Sequence, residues 1–413
     1  MKKASNLLLT DAMGIVDDTM CPPPTVRPGD LGSLLDLVAT PLESGGVLAL
    51  AGEWEDLLAW LRDCKGEVTT GEWSARVQPE DVWIRWQRTG GYVIWTVLPE
   101  ALPVAGRSHP LIGETAQATA WNLHQWTKAT DLPWVGTPGM TGNQLLIDRT
   151  PAPKQGTRAP RWNTPNEWTH GDIETPYSRA QWSREPGLPH IHSYDANMAY
   201  LSALLVLELP ADDLTHHHAP PFDPKEGGIW RVQLERWHLE NEMPDPAGYA
   251  PTLPDGSRWV TTQTLALVHA LTEHGDHMGY KILESWTAPA RRITRQLAEQ
   301  LRDIITADTT TPTLQTAARR VYKETYGMWR RRGRVHRPDW HYATIAMARA
   351  NLWRKMWRAH QQDMTPLYVE TDDVYYDTAQ PDWALAAPAG FPLDATGRKL
   401  GSFKPGAAEK ETS

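Results

Sequence analysis

Apolar and polar positions change period several times along the chain, and each change predicts an element. Residues 1–45 hold no sustained period and are interrupted by Cys21-Pro-Pro-Pro, which predicts an irregular lead-in. Gly46–Gly52 (GVLALAG) predicts a short buried strand. Trp54, Leu57, Leu58 and Leu61 fall on one face of a helix predicted over Glu53–Cys64. Val82, Ile84 and Trp86 then alternate with Trp83, Arg85 and Gln87, and Thr89-Gly90-Gly91 turns the chain into Tyr92–Val97. That pattern predicts a β-hairpin. Thr115–Lys128 reads as a helix.

Proline-rich sequence over Pro151–Pro189 marks a domain boundary. Strand signals return just before Asp195 and over Ile229–Leu234, where Trp230, Val232 and Leu234 alternate with polar residues. Thr264, Leu267, Val268 and Leu271 share a helical face, and Tyr280–Trp286 predicts a strand. Long helices are expected over Ala290–Ile305, Pro312–Trp329 and His341–His360. Pro366–Asp377 predicts a strand-turn-strand unit around Thr371-Asp372, followed by a frayed tail at Ala407–Ser413. There is no internal repeat, and the mixture of periods is that of an α/β protein.

With 413 residues the chain has material for two or three domains, and 40% hydrophobic against 22% charged residues excludes wholesale disorder. No apolar run reaches the roughly 18 residues of a membrane span, and the start, MKKASNLLLT, has too short an apolar stretch for a signal peptide. Cys21 and Cys64 are the only cysteines, which excludes a disulfide framework and an all-thiolate metal site and fits a cytoplasmic protein. Charge changes the picture more. Arg291–Arg358 holds sixteen Arg or Lys and five Asp or Glu within a chain of net charge −9. Tyr322, Tyr326, Trp329, Trp340, Trp353 and Trp357 are interleaved with these cations, and Arg330, Arg331, Arg332 and Arg334 cluster in one stretch. Cations meet phosphates and aromatic faces stack on bases, so the segment suits nucleic acid or nucleotides; a solvated helical face with core tryptophans has the same composition.

Three motifs carry candidate chemistry. In His192-Ser-Tyr-Asp195-Ala-Asn-Met-Ala-Tyr200-Leu-Ser, a strand ends at an acid and turns straight into a helix. In Arg319-Arg-Val-Tyr-Lys323-Glu-Thr-Tyr326-Gly327, Arg319, Lys323 and Tyr326 stand at i, i+4 and i+7, on one helical face. In Tyr368-Val-Glu370-Thr-Asp372-Asp373-Val-Tyr375, three carboxylates crowd a hairpin turn, a costly placement without a cation. Together they suit phosphoryl transfer with two metal ions, Asp195 and Asp372 as ligands and Arg319 and Lys323 on a triphosphate. Tyr200 could pack under a sugar and exclude a 2′-hydroxyl.

These motifs resemble those of family B DNA polymerases, especially the protein-primed kind. The family pattern Asp-x-x-Ser-Leu-Tyr-Pro-Ser, Lys-x-x-x-Asn-Ser-x-Tyr-Gly and Tyr-x-Asp-Thr-Asp appears in order as DANMAYLS, RRVYKETYG and YVETD. Asp195, Tyr200, Tyr326, Gly327, Tyr368, Thr371 and Asp372 match, while Arg319, Lys323-Glu324 and Glu370 depart from it. Leu400-Gly401-Ser-Phe-Lys404 resembles the strand by which such palms lead into the thumb. The resemblance spans about Thr137 to Lys404 and implies a right-hand polymerase palm with an antiparallel sheet and helical fingers. An exonuclease-like (RNase H-like) α/β domain would precede it, and the thumb would be absent or vestigial.

The implied domains are 1–150, a degenerate exonuclease-like α/β domain without proofreading; 151–290, the first part of the palm; 291–358, basic helical fingers; and 359–413, the second part of the palm with a short tail. The implied catalytic residues are Asp195, Asp372 and Glu370, with Asp195 and Asp372 holding Mg2+ or Mn2+. Tyr200, Arg319, Lys323, Tyr326 and Gly327 would bind the deoxynucleotide triphosphate, and Arg330, Arg331, Arg332, Arg334 and Lys404 the DNA, as primer-template or single strand. A terminal protein or a partner chain would replace the thumb. The stretch from Arg337-Pro-Asp-Trp-His341 to Arg354-Lys355 resembles instead the telomere-associated proteins of linear actinobacterial replicons, which implies a catalytically silent DNA-end or replication adaptor.

Plainer roles stay open for each residue. Asp195 suits a helix N-cap, Asp372 and Asp373 suit turn residues, and Tyr200 and Tyr326 suit core aromatics. Arg319, Lys323 and the Arg330–Arg334 run could be solvated. His216-His217-His218 reads as a solvated loop, because consecutive histidines point apart.

Overall fold

The computed structural model describes residues 110–111, 116–132, 134, 137–149, 173–275, 278–331 and 335–406, and the backbone of eight strands between residues 5 and 97. Two compact units divide the chain. One comprises Met1–Asp148 with Asp303–Thr325, and the other Arg149–Arg302 with Tyr326–Ser413.

In the first unit, β1 (Ser5–Leu9), β2 (Gly14–Val16), β3 (Thr19–Cys21), β4 (Gly46–Leu50), β5 (Gly66–Thr70), β6 (Trp73–Gln78), β7 (Asp81–Arg88) and β8 (Gly91–Val97) form one sheet. Its order is β3-β2-β1-β4-β8-β7-β6-β5. The β1–β4 and β4–β8 pairs are parallel and the others antiparallel. The alternation over 82–97 gives the expected hairpin, with Arg88 opposite Gly91. The lead-in differs from expectation, because β1, β2 and β3 lie in it; strands of three to five residues are too short to display a period. The helix predicted over Glu53–Cys64 falls outside the described residues. Helices α1 (Ala116–Thr130) and α2 (Pro138–Arg149) follow. Gly142 in α2 lies so close to Thr325 that a Cβ would overlap its hydroxyl.

The second unit carries two sheets in which every pairing is antiparallel. β9 (His190–Ala196) belongs to the order β15-β16-β9-β17, with β15 (Tyr368–Glu370), β16 (Asp373–Thr378) and β17 (Phe403–Pro405). The other sheet runs β10-β14-β12-β13, from β10 (Leu209–Pro210), β12 (Glu226–Leu234), β13 (Arg258–Thr261) and β14 (Tyr280–Arg291), with β11 (Thr215–His218) also on β14. Helices α3 (Ala199–Val206), α4 (Thr262–Glu273) and α7 (Pro338–His360) pack on them, and α5 (Arg295–Thr306) and α6 (Pro312–Trp329) each run from one unit into the other. Tyr194 and Ala196 of β9, Val374 and Tyr376 of β16, Leu267 and Leu271 of α4 and Trp353 and Met356 of α7 share one buried core. That core fixes the four-stranded sheet against α7.

Two expectations change here. The strand expected at Tyr280–Trp286 continues to Arg291. It displaces the first turn of the helix predicted from Ala290, because Ala290 and Arg291 pair with β10. His216–His218 form a strand, not a loop; they pair with Glu284–Trp286, and His216 Nε2 lies 2.7 Å from Glu284 Oε2.

One buried ion pair ties the start of this unit to α7. Arg349 Nη2 donates 2.6 Å to Glu174 Oε2, and Glu174 Oε1 accepts from the Thr261 amide and the Thr261 and Thr264 hydroxyls. Both side chains are almost fully buried (2% and 0% exposed), and Glu174 is the nearest counter-charge to the Arg349 guanidinium. Gly248, at φ +73°, lies against the guanidinium where a Cβ would overlap it.

Candidate active site

The first and third motifs meet because β9 and β16 are neighbours. Asp373 stands opposite Asp195, Glu370 opposite Asp373, and Lys404 opposite Asp195. Directly opposed residues of antiparallel strands face the same side, so Glu370, Asp373, Asp195 and Lys404 form a row across four strands. Such a row of carboxylates repels itself, and Lys404 answers part of that charge: its Nζ donates 2.6 Å to Asp195 Oδ2. Glu370 is exposed and accepts from the Arg179 amide at 3.2 Å, and Arg179 covers the Tyr368 ring at 4.5 Å. Gly406 closes the row, since a Cβ there would overlap the Asp373 carboxylate.

Asp372 sits in the two-residue turn between β15 and β16. Thr371 before it has φ +60°, a left-handed conformation that is unfavourable for a β-branched residue. The turn is held from both sides, by Thr371 N–H to Tyr177 O (2.9 Å) and Ala196 N–H to Asp372 O (2.9 Å). The β9-to-α3 turn has a second such residue, Met198 at φ 52°. Met198, not Asp195, is the N-cap of α3, so the capping role open to Asp195 is not the one it has. Backbone strain of this kind persists only where surrounding contacts determine it, and here it flanks both acids.

A cleft opens beside Asp372, lined among others by Tyr200, Thr371, Arg349, Asn351 and Lys355. Tyr200 stacks on Tyr326, with centroids 4.8 Å apart and planes at 19°, and Tyr326 stacks in turn on His341 at 5.8 Å. His341 Nδ1 also lies 2.9 Å from the Tyr326 carbonyl oxygen. Burial, with Tyr326 and Asp372 adding to it, raises the Tyr200 hydroxyl above the usual tyrosine range. Burial pushes Tyr326 up to about 12. Both hydroxyls therefore stay protonated donors beside a carboxylate.

The remaining expected residues divide between the units. Arg319 and Lys323 lie on α6 in the first unit, Arg319 part-buried and Lys323 exposed. Tyr326 and Gly327 lie on the same helix in the second unit, and a Cβ on Gly327 would meet no atom. Arg330 and Arg331 are exposed; Arg332 and Arg334 fall outside the described residues. Glu324 pairs with Arg320 one turn back at 3.1 Å. Among the described residues no three His, Cys, Asp or Glu side chains converge as a metal cage.

Two residues of this site escaped the sequence reading. His341 reaches Tyr326 from fifteen residues away, and no local signal announces that. Lys355 lies one turn beyond Asn351, its Nζ donates 2.6 Å to Gly401 O, and it stands 4.5 Å over the Phe403 ring. Burial, with nearby Arg358, lowers its amine to about 8. Its helical spacing with Arg354 and Arg358 was the available signal.

No protein-family model matches the chain, and no curated protein matches it in sequence. Among solved structures, Phi29 DNA polymerase complexed with primer-template DNA and incoming nucleotide substrates aligns with TM-score 0.54 at 11% identity, over 98% of this chain and 84% of that one. The orthorhombic crystal form of Phi29 DNA polymerase and its complex with single-stranded DNA align at TM-score 0.48, with 11% and 12% identity. They cover 97% and 95% of this chain and 84% and 80% of theirs. The fold is thus α/β with antiparallel palm-like sheets, similar to that of Phi29 DNA polymerase.

Proposed function

We propose that this chain is a DNA-binding nucleotidyltransferase of the family B polymerase type, adding deoxynucleotides to a 3′-hydroxyl or a protein hydroxyl without proofreading. The observation that carries the reading is the cleft in which Asp372, from the third motif, meets Tyr200, from the first, with Asp195 on the adjoining strand. The similar structure with TM-score 0.54 holds primer-template DNA and incoming nucleotides, which supports the same ligands here.

Asp195 and Asp372 would hold Mg2+ or Mn2+, with Glu370 beside them. The donors are all carboxylate oxygens, which these ions prefer, and Mg2+ is ordinarily held by one or two carboxylates together with substrate phosphates. The lack of a three-residue cage among the described residues is therefore compatible with such a site. When bound, the ions would activate the attacking oxygen and stabilise the leaving pyrophosphate. Tyr200 and Tyr326 would present a stacked aromatic floor to the sugar, and Gly327 leaves room for close approach. Arg319 and Lys323 would bind the triphosphate, and Arg330, Arg331, Arg332, Arg334 and Lys404 the nucleic acid. Lys404 would have to exchange Asp195 for phosphate as substrate enters. A terminal protein or a second chain would complete the grip on DNA.

A second reading, a silent adaptor of the telomere-associated type, is favoured by one contact, Lys404 on Asp195, which neutralises an acid that the reaction needs. Incorporation of labelled deoxynucleotides separates the two. The purified chain, with Mg2+ or Mn2+, is given a primer-template, single strands or no DNA, beside Asp195→Ala and Asp372→Ala. Incorporation lost in both variants establishes the enzyme. Silence in every lane, with DNA binding indifferent to both substitutions, establishes the adaptor.

A further inference from the structure

On helix α5 of the second unit, Arg295 bonds Glu299 one turn on. Arg236, exposed and outside any helix, bonds Glu240. The C-terminal end of helix α7 offers its cations no such acid one turn away. Asn351, Arg354, Lys355 and Arg358 stand at i, i+3, i+4 and i+7, one face by helical geometry. Among the described residues no carboxylate pairs with Arg354, Lys355 or Arg358; Arg354 Nη1 reaches only Asn351 Oδ1, at 3.5 Å, and Lys355 only a carbonyl and a ring.

Three adjacent like charges are unfavourable, more so where they are shielded from water. Arg354 and Lys355 are part-buried and Arg358 is exposed. Desolvation, then the charge of Arg358, lowers the pKa of both part-buried groups. An ordinary solvated face would spread these cations or pair them. This one fixes Lys355 in place through Gly401 O and Phe403, so the repulsion is not relieved by side-chain motion. The loop that supplies Gly401 carries two more exposed cations, Arg398 and Lys399.

The position of the face says what it meets. Asn351 and Lys355 line the cleft that contains Asp372, while Arg358 lies a turn or two further on and faces solvent. Seven residues at 1.5 Å make a row of about 10 Å, more than one phosphate group occupies. We infer that the α7 face Asn351–Arg354–Lys355–Arg358 is a phosphate track, binding the backbone of a nucleic-acid strand whose end reaches the cleft at Asp372. The inference rests on the proposed function for the meaning of the cleft, and none of these residues belongs to the three motifs.

The test uses the full chain and a labelled twelve-nucleotide oligo(dT), followed by fluorescence anisotropy from low to moderate salt, with inorganic triphosphate as competitor. Arg354→Gln/Arg358→Gln should weaken oligo(dT) binding on the order of tenfold. It should also reduce the slope of log affinity against log salt by about 1.4, at roughly 0.7 per contact on a single strand. Arg236→Gln, which removes an exposed charge elsewhere, should leave both unchanged. Because the double variant relieves repulsion, its melting temperature should not fall, which separates lost binding from lost folding; Arg358→Gln alone, at an exposed position, should show about half the slope change. An unchanged slope in the double variant overturns the track, as does a wild-type chain that does not bind oligo(dT). Loss of inorganic triphosphate binding with oligo(dT) binding intact overturns the strand in favour of free phosphate. The proposed reaction is scored separately by incorporation: a chain that incorporates nothing yet binds oligo(dT) through this face loses the reaction and keeps the track.

Discussion

Lys404 and Asp195 face each other across β17 and β9, with Nζ 2.6 Å from Oδ2. The pair puts one cation on one of the two acids around which any phosphoryl-transfer chemistry here would be organised. Both side chains are partly exposed, at 30% and 25%, so the contact is one that water and ligands can exchange.

That exchange is measurable with the metal alone. Lys404→Met should tighten Mn2+ binding by a factor of about 1.5 to 5, because an exposed pair of this kind contributes roughly 0.2–1 kcal/mol. Asp195→Asn should weaken it in either background. Calorimetric titration with Mn2+ reads both, and unchanged affinity in Lys404→Met would separate the pair from metal binding.

Glu174 and Arg349 call for the opposite treatment, because neither is reachable by solvent. Glu174→Gln leaves a buried guanidinium without its counter-charge and should cost about 3–5 kcal/mol in urea unfolding. A loss below about 1 kcal/mol would mean that the surrounding Thr264 hydroxyl and the Thr175 and Ala247 carbonyls suffice for Arg349.

Gly327 is helical and a Cβ there meets nothing, so Gly327→Ala should stabilise the chain by roughly 0.5–1 kcal/mol through helix propensity. If a nucleotide approaches that face, the same change should raise the KM for deoxynucleotides. A stabilised variant with unchanged KM would remove Gly327 from the binding site.

Alkaline stability follows from Lys355 and the buried tyrosines. The folded amine titrates near 8 and the unfolded one near 10.4, so between those values the unfolded chain binds more protons and stability rises with pH. Tyr326 and Tyr249, pushed up to about 12 by burial, act in the other direction above pH 10, where only the unfolded phenols ionise. Denaturant midpoints should therefore climb from pH 8 towards 10 and fall beyond it. Lys355→Met should remove the climb and keep the fall.

Much of the site was legible in the sequence where its determinants are local. The β15–β16 hairpin follows from a short apolar alternation around Thr371-Asp372, and α6 starts and ends at the residues its spacing predicts, Pro312 and Trp329. The order of the three motifs likewise placed Asp195 at a strand end and Tyr200 in the helix after it. Each of these rests on turn chemistry or on a repeat of 2.0 or 3.6 residues, which a few neighbours set.

What only the tertiary structure decided is who faces whom. Beyond the local Glu370–Asp373 pair, the row Glu370–Asp373–Asp195–Lys404 depends on β9 pairing with β16 and β17, some 180 to 210 residues away, and a shift of one residue would turn every side chain to the other face. Helical periodicity groups Asn351, Arg354, Lys355 and Arg358 but does not say that they border a cleft. His341 under Tyr326 and Gly401 on Lys355 arise from the packing of α7 against the rest of the second unit. The sequence by itself determined which chemical groups are present and how each segment coils. Their meeting was left to burial of a shared core, which is non-directional and sums over residues far apart in the chain.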